Sequence, residues 1–403
     1  MKFVVLVGDG MADYPLEELQ GKTPLEVAKT PHMDYLAQNG QVGWARTIPE
    51  RMAPASDVAN LSILGYDPAK FYSGRGPLEA ANMGIKLKED EVAFRCNLVT
   101  CGQDKMLDYS AGHITNKEAH ILIKDLNKEF GKDTLGFYPG VSYRHLMVTK
   151  DPQPSLLKVK CRPPHDITGQ SISKNLPRGK NAKFLVDLMS RAGRFLERHD
   201  INKVRVDLKE NPANAIWLWG QGKRPVVPKF IDRYGVTGSV ISAVDLIKGL
   251  GKTIGLEPIN VPGATGYYDT DYLAKARYGL ESLESKDFVF IHVEAPDEAG
   301  HNGDLRAKLT AIEKFDNQVV GTILGHFQDQ TDFRILVLPD HYTPIPLKTH
   351  TSEPIFFALF GQGVKKDNIP AFNESAARES SLNFPHGWKL MDYFLVTREV
   401  SNH

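Results

Sequence analysis

Residues 288–301 read FVFIHVEAPDEAGH, a mainly apolar run followed at once by carboxylate and imidazole side chains. A run without alternating polar residues is typical of a strand buried on both faces of a sheet. Three more such runs occur, at Lys2 to Val7, Ala215 to Trp219 and Phe333 to Leu338. Amphipathic helical stretches lie between runs, for example at residues 305–323. The alternation predicts an α/β core with a mostly parallel sheet flanked by helices.

Candidate metal ligands come directly after three of these runs. They are Asp9, Asp297, His301, Asp340, His341 and, nine residues further on, His350. The carboxyl ends of parallel strands lie at one edge of a sheet, so these side chains are expected to meet around divalent metal. A single Asp after a strand is more commonly a turn or helix-capping residue. Three strand ends with the same chemistry favour the metal site.

The number of ligands indicates two metal ions. One set consists of Asp297, His301 and His350, and the other consists of Asp9, Asp340 and His341. Mixed oxygen and nitrogen ligands suit zinc or manganese better than calcium, which binds oxygen. The sequence therefore predicts a two-metal centre.

Ser56 is the candidate nucleophile for this centre. It follows Pro54 and opens a short stretch of helical periodicity that ends at Gly65. Backbone N–H groups at a helix start bind phosphate oxygens, and a bound metal lowers the pKa of a serine hydroxyl. The alternative is that Ser56 caps the helix, which is the more common role of a Ser-Asp pair at a helix start. This segment alone leaves both interpretations open.

Residues 86–181 differ in residue pattern from the rest of the chain. Proline and glycine breaks occur at Tyr138-Pro139-Gly140 and Arg162-Pro163-Pro164, and His145 to Val148 resembles a short strand. We interpret the segment as an inserted, smaller α+β domain. Residues 1–85 and 182–403 would then form the core.

Composition limits the classes of function. The 403 residues include 49 Lys and Arg against 49 Asp and Glu, and this balance predicts no nucleic-acid partner. The hydrophobic fraction of 41% is that of a folded domain rather than a disordered chain. Cys96, Cys101 and Cys161 fit neither a disulfide scaffold nor a zinc knuckle. No apolar run approaches a membrane span, so we expect a cytoplasmic protein without a membrane partner, its oligomeric state left open.

Seven longer motifs are spread over the whole chain. They are VGDGMAD (7–13), PASDVANLSILGYDP (54–68), GRGPLE (74–79), NPANAIWLWGQG (211–222), DEAGH (297–301), DHYTP (340–344) and HTSEP (350–354). Together they closely resemble the archaeal-type 2,3-bisphosphoglycerate-independent phosphoglycerate mutases. The resemblance implies membership of the alkaline phosphatase superfamily, whose α/β core holds two divalent metals beside a Ser or Thr nucleophile. One departure is Tyr342, where many relatives have a small residue.

The same resemblance implies roles for individual residues. The first metal site falls on Asp297, His301 and His350, and the second on Asp9, Ser56, Asp340 and His341. The inserted domain would cover the substrate with the basic, imidazole and acidic side chains of His113, Arg144, His145, His165 and Asp166. Arg75 and Lys223 of the core would bind its phosphate or carboxylate. His113 or Asp166 would move protons on the substrate hydroxyls, and the sequence does not decide between them.

The implied reaction interconverts 3-phosphoglycerate and 2-phosphoglycerate through a phosphoserine at Ser56, in glycolysis and gluconeogenesis. Manganese is the expected ion, with zinc, cobalt and magnesium as alternatives. One rival is a metal-dependent phosphatase or phosphodiesterase of the same superfamily, because the metal and nucleophile set is shared. A second rival is an inactive relative that serves as a binding protein. The presence of all seven metal and nucleophile residues argues against the second.

Overall fold

The computed structural model describes residues 1–152 and 155–396. Its strands are β1 (Lys2–Gly8), β2 (Gln41–Ala45), β3 (Glu91–Gly102), β4 (Lys105–Asp108), β5 (Leu135–Val141), β6 (Arg144–Lys150), β7 (Ala215–Gly222), β8 (Gly238–Ile241), β9 (Glu257–Ile259), β10 (Phe288–Val293), β11 (Phe333–Leu338), β12 (Ile355–Gly361) and β13 (Asn383–Phe384).

The α-helices are α1 (Pro24–Val27), α2 (Pro31–Asn39), α3 (Ser56–Ile63), α4 (Pro68–Phe71), α5 (Arg75–Asn82), α6 (Asn116–Phe130), α7 (Ile172–Asn175), α8 (Ala182–Glu197), α9 (Asp200–Asp207), α10 (Phe230–Tyr234), α11 (Asp245–Ile254), α12 (Tyr272–Ser285), α13 (Ala295–Asn302), α14 (Leu305–Lys314), α15 (Gly321–His326), α16 (Glu374–Ala377) and α17 (Lys389–Val396). A π-helical segment, Phe315–Val320, joins α14 to α15. Short 3₁₀ turns lie at Glu17–Leu19, Leu156–Lys158 and His165–Ile167. Within the described ranges, no helix is long and apolar enough to span a membrane.

The chain forms two compact units. The core unit comprises Met1–Tyr72 and Val227–His403, and the inserted unit comprises Ser73–Val226. The core unit contains one sheet with strand order β13-β2-β12-β11-β1-β10-β8-β9. The five strands from β11 to β9 are mutually parallel, whereas β12 is antiparallel to both of its neighbours. This sheet confirms the predicted α/β core.

The register of the central strands places their carboxyl ends level with one another. Val7 of β1 pairs with His292 of β10 on one side and with Leu338 of β11 on the other. Every side chain of β10 and β11 is buried, which explains why these runs show no polar alternation. The segments that follow the three strands therefore start from one edge of the sheet.

The inserted unit has a second sheet with strand order β4-β3-β6-β5, and β7 pairs with β3. The prediction that Ala215 to Trp219 lies in the core sheet is wrong, because this run forms β7, antiparallel to β3. Helices α5 and α8 both pack against β7. A strand covered in this way has the same continuous apolar pattern as a parallel core strand, so the pattern could not distinguish the two sheets.

The inserted unit is also larger than the predicted segment 86–181. Helix α5 precedes that segment, and α8, α9 and β7 follow it. The apolar side chains of α8 share one hydrophobic core with α6 and β7, including Leu122, Leu188 and Trp217. A turn near residue 181 ends an element but does not end the domain, since the next helix returns to the same core.

The chain enters and leaves the inserted unit side by side. A Cβ atom on Gly222 would lie 2.7 Å from the carbonyl carbon of Ser73, and one on Gly74 would lie 3.0 Å from that of Gln221. Gly74 also has φ +106°, which L residues rarely adopt. Glycine is therefore required at both ends of the unit for the two segments to pack this closely.

The two units have opposite charges, which the neutral chain as a whole conceals. The inserted unit carries 26 Lys and Arg against 17 Asp and Glu, a net charge of +9. The core unit carries 23 against 32, a net charge of −9. Divalent cations are therefore favoured electrostatically in the core unit, and small anions in the inserted unit.

Candidate active site

The first ligand set lies on and beside α13. Asp297 and His301 are four residues apart, so they share one face of the helix, with His301 Nε2 3.2 Å from Asp297 Oδ2. His350 Nε2 lies 3.3 Å from Asp297 Oδ1. The Nδ1 atom of His301 donates a hydrogen bond to the carbonyl oxygen of Lys348 at 3.0 Å. This bond orients the ring so that Nε2 faces the other two residues.

The second ligand set is buried at the ends of β1 and β11. His341 Nε2 lies 3.4 Å from Asp9 Oδ1 and 3.6 Å from Asp340 Oδ2. The N–H of Gly10 donates to Asp340 Oδ1 at 3.1 Å, which fixes that carboxylate. In each set, the candidate ligand atoms lie within 4.8 Å of one another. The structure thus brings together both predicted sets.

These residues fit divalent cations. Asp9 Oδ1 is buried and has no hydrogen-bond partner, which is costly unless a cation binds there. Burial, together with the negative charges of Asp340 and Asp297, raises the pKa of Asp9 well above its ordinary value. A divalent ion would satisfy the oxygen and remove the repulsion. The mixed carboxylate and imidazole donors match manganese or zinc.

Ser56 is the first residue of α3 and does not cap it. The capping position is Ala55, and no side chain caps the helix there. The Oγ atom of Ser56 instead lies 3.1 Å from His341 Nε2. In general, the first N–H groups of a helix have no partner within the helix and can bind phosphate oxygens. The geometry therefore favours the nucleophile over the cap.

Two residues of this site were not predicted. Asn60, one turn after Ser56, donates through Nδ2 to the Ser56 carbonyl oxygen at 2.8 Å and to Asp340 Oδ2 at 2.7 Å. His292 is fully buried in β10, and its Nε2 lies 3.4 Å from Asp9 Oδ2. The sequence signal for His292 was a lone histidine inside an apolar strand that ends at the candidate metal ligands. Asn60 lies within the 54–68 motif, but its amide is typical of an ordinary polar position in a short helix.

The inserted unit contains a separate cluster of aromatic and cationic side chains. Around Trp219 lie the guanidinium groups of Arg75 and Arg95, 5.5 and 4.5 Å from the ring centroid, and the His165 ring at 5.3 Å. Arg95 was not predicted; it is 8% exposed and forms an ion pair with Glu79 at 3.0 Å. The sequence signal for Arg95 was an arginine within the apolar strand β3.

The same cluster continues along Tyr143. The Arg144 guanidinium lies 4.9 Å from the Tyr143 ring centroid, and the His113 ring lies 6.0 Å from it. Tyr109 contacts both Tyr143 and His165, so one aromatic group joins the two halves. Four predicted substrate residues, Arg75, His113, Arg144 and His165, therefore belong to one cluster. Asp166 is exposed beside His165, with 3.6 Å between carboxylate and imidazole.

His113 lies in a strained turn. Ala111, Gly112 and His113 have φ values of +49°, +66° and +51°, three left-handed residues in succession. The Asp108 carboxylate accepts hydrogen bonds from the Gly112 N–H and the Ser110 N–H, and the Arg205 guanidinium donates to the Ala111 carbonyl at 2.9 Å. Strain of this kind persists only where surrounding contacts enforce it, and it is concentrated at functional sites.

Three predicted substrate residues differ from expectation. His145 is 1% exposed and accepts a hydrogen bond at Nδ1 from the Gly140 N–H, and burial lowers its pKa to about 3. It is a neutral interior side chain, whereas the resemblance implies that it covers the substrate. Arg75 and Lys223 both belong to the inserted unit, not to the core, and Lys223 forms an ion pair with Asp151 at 3.0 Å. Tyr342 is buried, with its ring 6.2 Å from that of Tyr14.

Comparison with known proteins identifies relatives over nearly the whole chain. A family described as 2,3-bisphosphoglycerate-independent phosphoglycerate mutase matches residues 37–202. The protein of that name from Methanosarcina barkeri is 52% identical over 384 residues, 95% of this chain and 96% of its own length. A probable enzyme of that name from Geobacter sulfurreducens is 50% identical over 400 residues, 98% of this chain and all of its own.

Two solved structures share the fold. A protein from Pyrococcus horikoshii has a TM-score of 0.82 and 31% identity, with 98% of this chain and 96% of that chain covered. A cofactor-independent phosphoglycerate mutase from Thermoplasma acidophilum has a TM-score of 0.66 and 26% identity, with 98% and 99% covered. Each alignment spans both units of the chain.

Proposed function

Because the chain belongs to the 2,3-bisphosphoglycerate-independent phosphoglycerate mutases, which are isomerases, we propose that it interconverts 3-phosphoglycerate and 2-phosphoglycerate through a phosphoserine at Ser56. The observation that carries this proposal is the Ser56 hydroxyl at the start of α3, 3.1 Å from His341 in the second ligand set. We further propose a role in glycolysis and gluconeogenesis in the cytoplasm.

The proposed cofactors are two divalent ions. The residues that would hold them are Asp297, His301 and His350 for one ion and Asp9, Ser56, Asp340 and His341 for the other. When bound, the ions would lower the pKa of the Ser56 hydroxyl and neutralise charge on the transferring phosphoryl group. Manganese is the proposed ion, with zinc, cobalt and magnesium as alternatives that the same donors accept.

The residues of the chain then account for the transfer itself. Ser56 Oγ loses its proton and forms a bond to phosphorus while the ester bond between phosphorus and the glycerate oxygen breaks. Ser56 Oγ regains a proton when the phosphoryl group leaves it. The backbone N–H groups at the start of α3 bind the phosphoryl oxygens. The released glycerate oxygen gains a proton, and the neighbouring hydroxyl loses one when it takes the phosphoryl group from Ser56, so the proton count balances. His113 or Asp166 would carry this proton.

The inserted unit would bind the anionic parts of the substrate. Its net charge of +9 and the cluster of Arg75, Arg144 and His165 provide donors suited to carboxylate and phosphate. The freed glycerate must stay bound until it is phosphorylated again, and water must be kept from the phosphoserine. Retention of glycerate is what separates a mutase from a phosphatase with the same metal and nucleophile residues.

The decisive experiment supplies purified, manganese-loaded protein with 3-phosphoglycerate and no bisphosphoglycerate. The amounts of 2-phosphoglycerate and free phosphate are followed together. We expect 2-phosphoglycerate without release of phosphate. Release of phosphate alone would favour the phosphatase, and the absence of both products would favour the binding protein.

Replacing Arg144 with alanine should raise the KM for 3-phosphoglycerate. A hydrogen bond to a charged group contributes about 1.5–3 kcal/mol, so we expect an increase of roughly 10- to 100-fold in steady-state kinetics. Arg191→Ala is the matched control, since Arg191 also lies over an aromatic ring, 5.2 Å from the centroid of Phe130. An Arg144→Ala enzyme with the wild-type KM would remove Arg144 from the substrate site.

A further inference from the structure

The hydroxyl of Thr343 connects the two ligand sets. Its Oγ1 atom lies 2.5 Å from Asp297 Oδ1, in the first set, and 3.2 Å from His341 Nδ1, in the second. Thr343 is fully buried. One side chain that binds no metal in the proposed scheme thus contacts a ligand of each ion.

The direction of these hydrogen bonds follows from counting protons. The Asp297 carboxylate lies 3.2 and 3.3 Å from His301 and His350, and as a metal ligand it is deprotonated and can only accept. The single hydroxyl proton of Thr343 is therefore donated to Asp297. The oxygen of Thr343 then has only lone pairs left for His341, so Nδ1 of His341 must carry a proton and donate.

This assignment leaves the other nitrogen of His341 unprotonated. A histidine that binds a metal ion is neutral and therefore has one N–H. With that proton on Nδ1, the lone pair of Nε2 points toward Ser56 Oγ at 3.1 Å and Asp9 Oδ1 at 3.4 Å. An imidazole binds metal through such a lone pair, and its other nitrogen is commonly held by a hydrogen bond.

Two glycines and a buried lysine hold Thr343 in this position. A Cβ atom on Gly10 would lie 2.5 Å from Asp297 Oδ1, and one on Gly300 would lie 2.7 Å from Thr343 Cγ2. Both positions therefore exclude side chains. The buried ammonium of Lys308 donates to the Thr343 carbonyl oxygen at 2.9 Å. Gly10 of the VGDGMAD motif and Gly300 of the DEAGH motif thus leave the space that Thr343 of the DHYTP motif fills.

We propose that Thr343 is a positioning residue that fixes the tautomer of His341 and couples the two metal sites through Asp297. Loss of its hydroxyl alone should then weaken binding of both ions. The inference rests on the two-metal centre of the proposed function.

The test compares Mn²⁺ binding to the full-length wild type, Thr343→Val and Thr343→Ser. Equilibrium dialysis and elemental analysis give the number of ions per chain and both dissociation constants. Loss of such an orienting partner typically costs 10- to 100-fold in metal affinity, so we expect both constants to rise at least about tenfold for valine. Serine keeps the hydroxyl and should bind nearly as the wild type does.

Thr270→Val is the control, because Thr270 is a buried threonine of the core unit whose hydroxyl accepts from the Thr265 N–H. It should bind two ions with wild-type affinity. Thr343→Ala replaces the valine variant if thermal unfolding shows that the latter does not fold. Unchanged binding in the hydroxyl-free variant, or weakening of one site only, would overturn the proposal while the two-metal centre stands. A wild type that binds no ion would overturn both.

Discussion

Ser56→Ala should lower kcat by at least about 10⁴-fold, because the proposed mechanism forms its covalent intermediate on Ser56 and removal of a nucleophile has effects of this size. The fold should persist, since Ser56 makes no capping hydrogen bond that α3 would lose. The six other ligand residues remain, so two ions should still bind. The measurement is steady-state conversion of 3-phosphoglycerate together with metal content.

The same helix offers a matched control. Ser62 is buried in α3, and its hydroxyl has no hydrogen-bond partner. Ser62→Ala should therefore keep the wild-type kcat. Enzyme quenched with denaturant during turnover of ³²P-labelled substrate should carry label on serine in the wild type and in Ser62→Ala. Label or activity retained by Ser56→Ala would show that another residue is the nucleophile.

Removal of the metal ions should abolish activity and lower the melting temperature, and both should return with Mn²⁺. The carboxylates of Asp9, Asp297 and Asp340 are buried near one another, and Asp340 and Asp297 raise the pKa of Asp9, so the apo site contains mutually repelling carboxylates. An ion at 100 times its dissociation constant contributes about 2.7 kcal/mol. Two ions should then raise the melting temperature by roughly 10 °C or more, at about 2–4 °C per kcal/mol for a domain of this size.

Asp9→Asn makes this prediction more specific. Because the folded-state pKa of Asp9 lies above its unfolded value, its ionisation destabilises the apo protein, and stability is lost as the pH rises through the raised pKa. Metal-free Asp9→Asn should melt above the metal-free wild type at pH 8, and the order should reverse in excess Mn²⁺. Full activity after chelation, or the same order of melting temperatures in both conditions, would argue against the metal centre.

The candidate metal ligands were predictable because parallel strands impose a simple geometry. Asp9 and Asp340 follow strands whose register makes their ends level, so residues distant in sequence must meet. The role of Ser56 could not be decided from the sequence, since the capping position and the proposed nucleophilic position differ by one residue at a helix start. Arg95 and His292 were missed because a polar residue inside an apolar strand gives no sign of what it faces.

The limits of the inserted unit were not predictable for a different reason. Apolar periodicity shows that α8 and β7 are buried but not which core buries them. The division between +9 and −9 depends on those limits, so whole-chain composition could not show it. The order of residues along the sequence predicts which side chains meet where a sheet fixes the ends of its strands. It does not predict the limits of a domain where a helix can pack on either of two sheets.

The close packing of Ser73 and Gly74 with Gln221 and Gly222 has an evolutionary consequence. A segment whose two ends adjoin can be exchanged as a single genetic cassette without changing the path of the host chain. Residues 73–226 can thus diverge while the candidate metal ligands and Ser56, which all lie outside this segment, stay unchanged. Chimaeras that exchange this cassette between relatives should inherit substrate selectivity from one parent and metal requirement from the other.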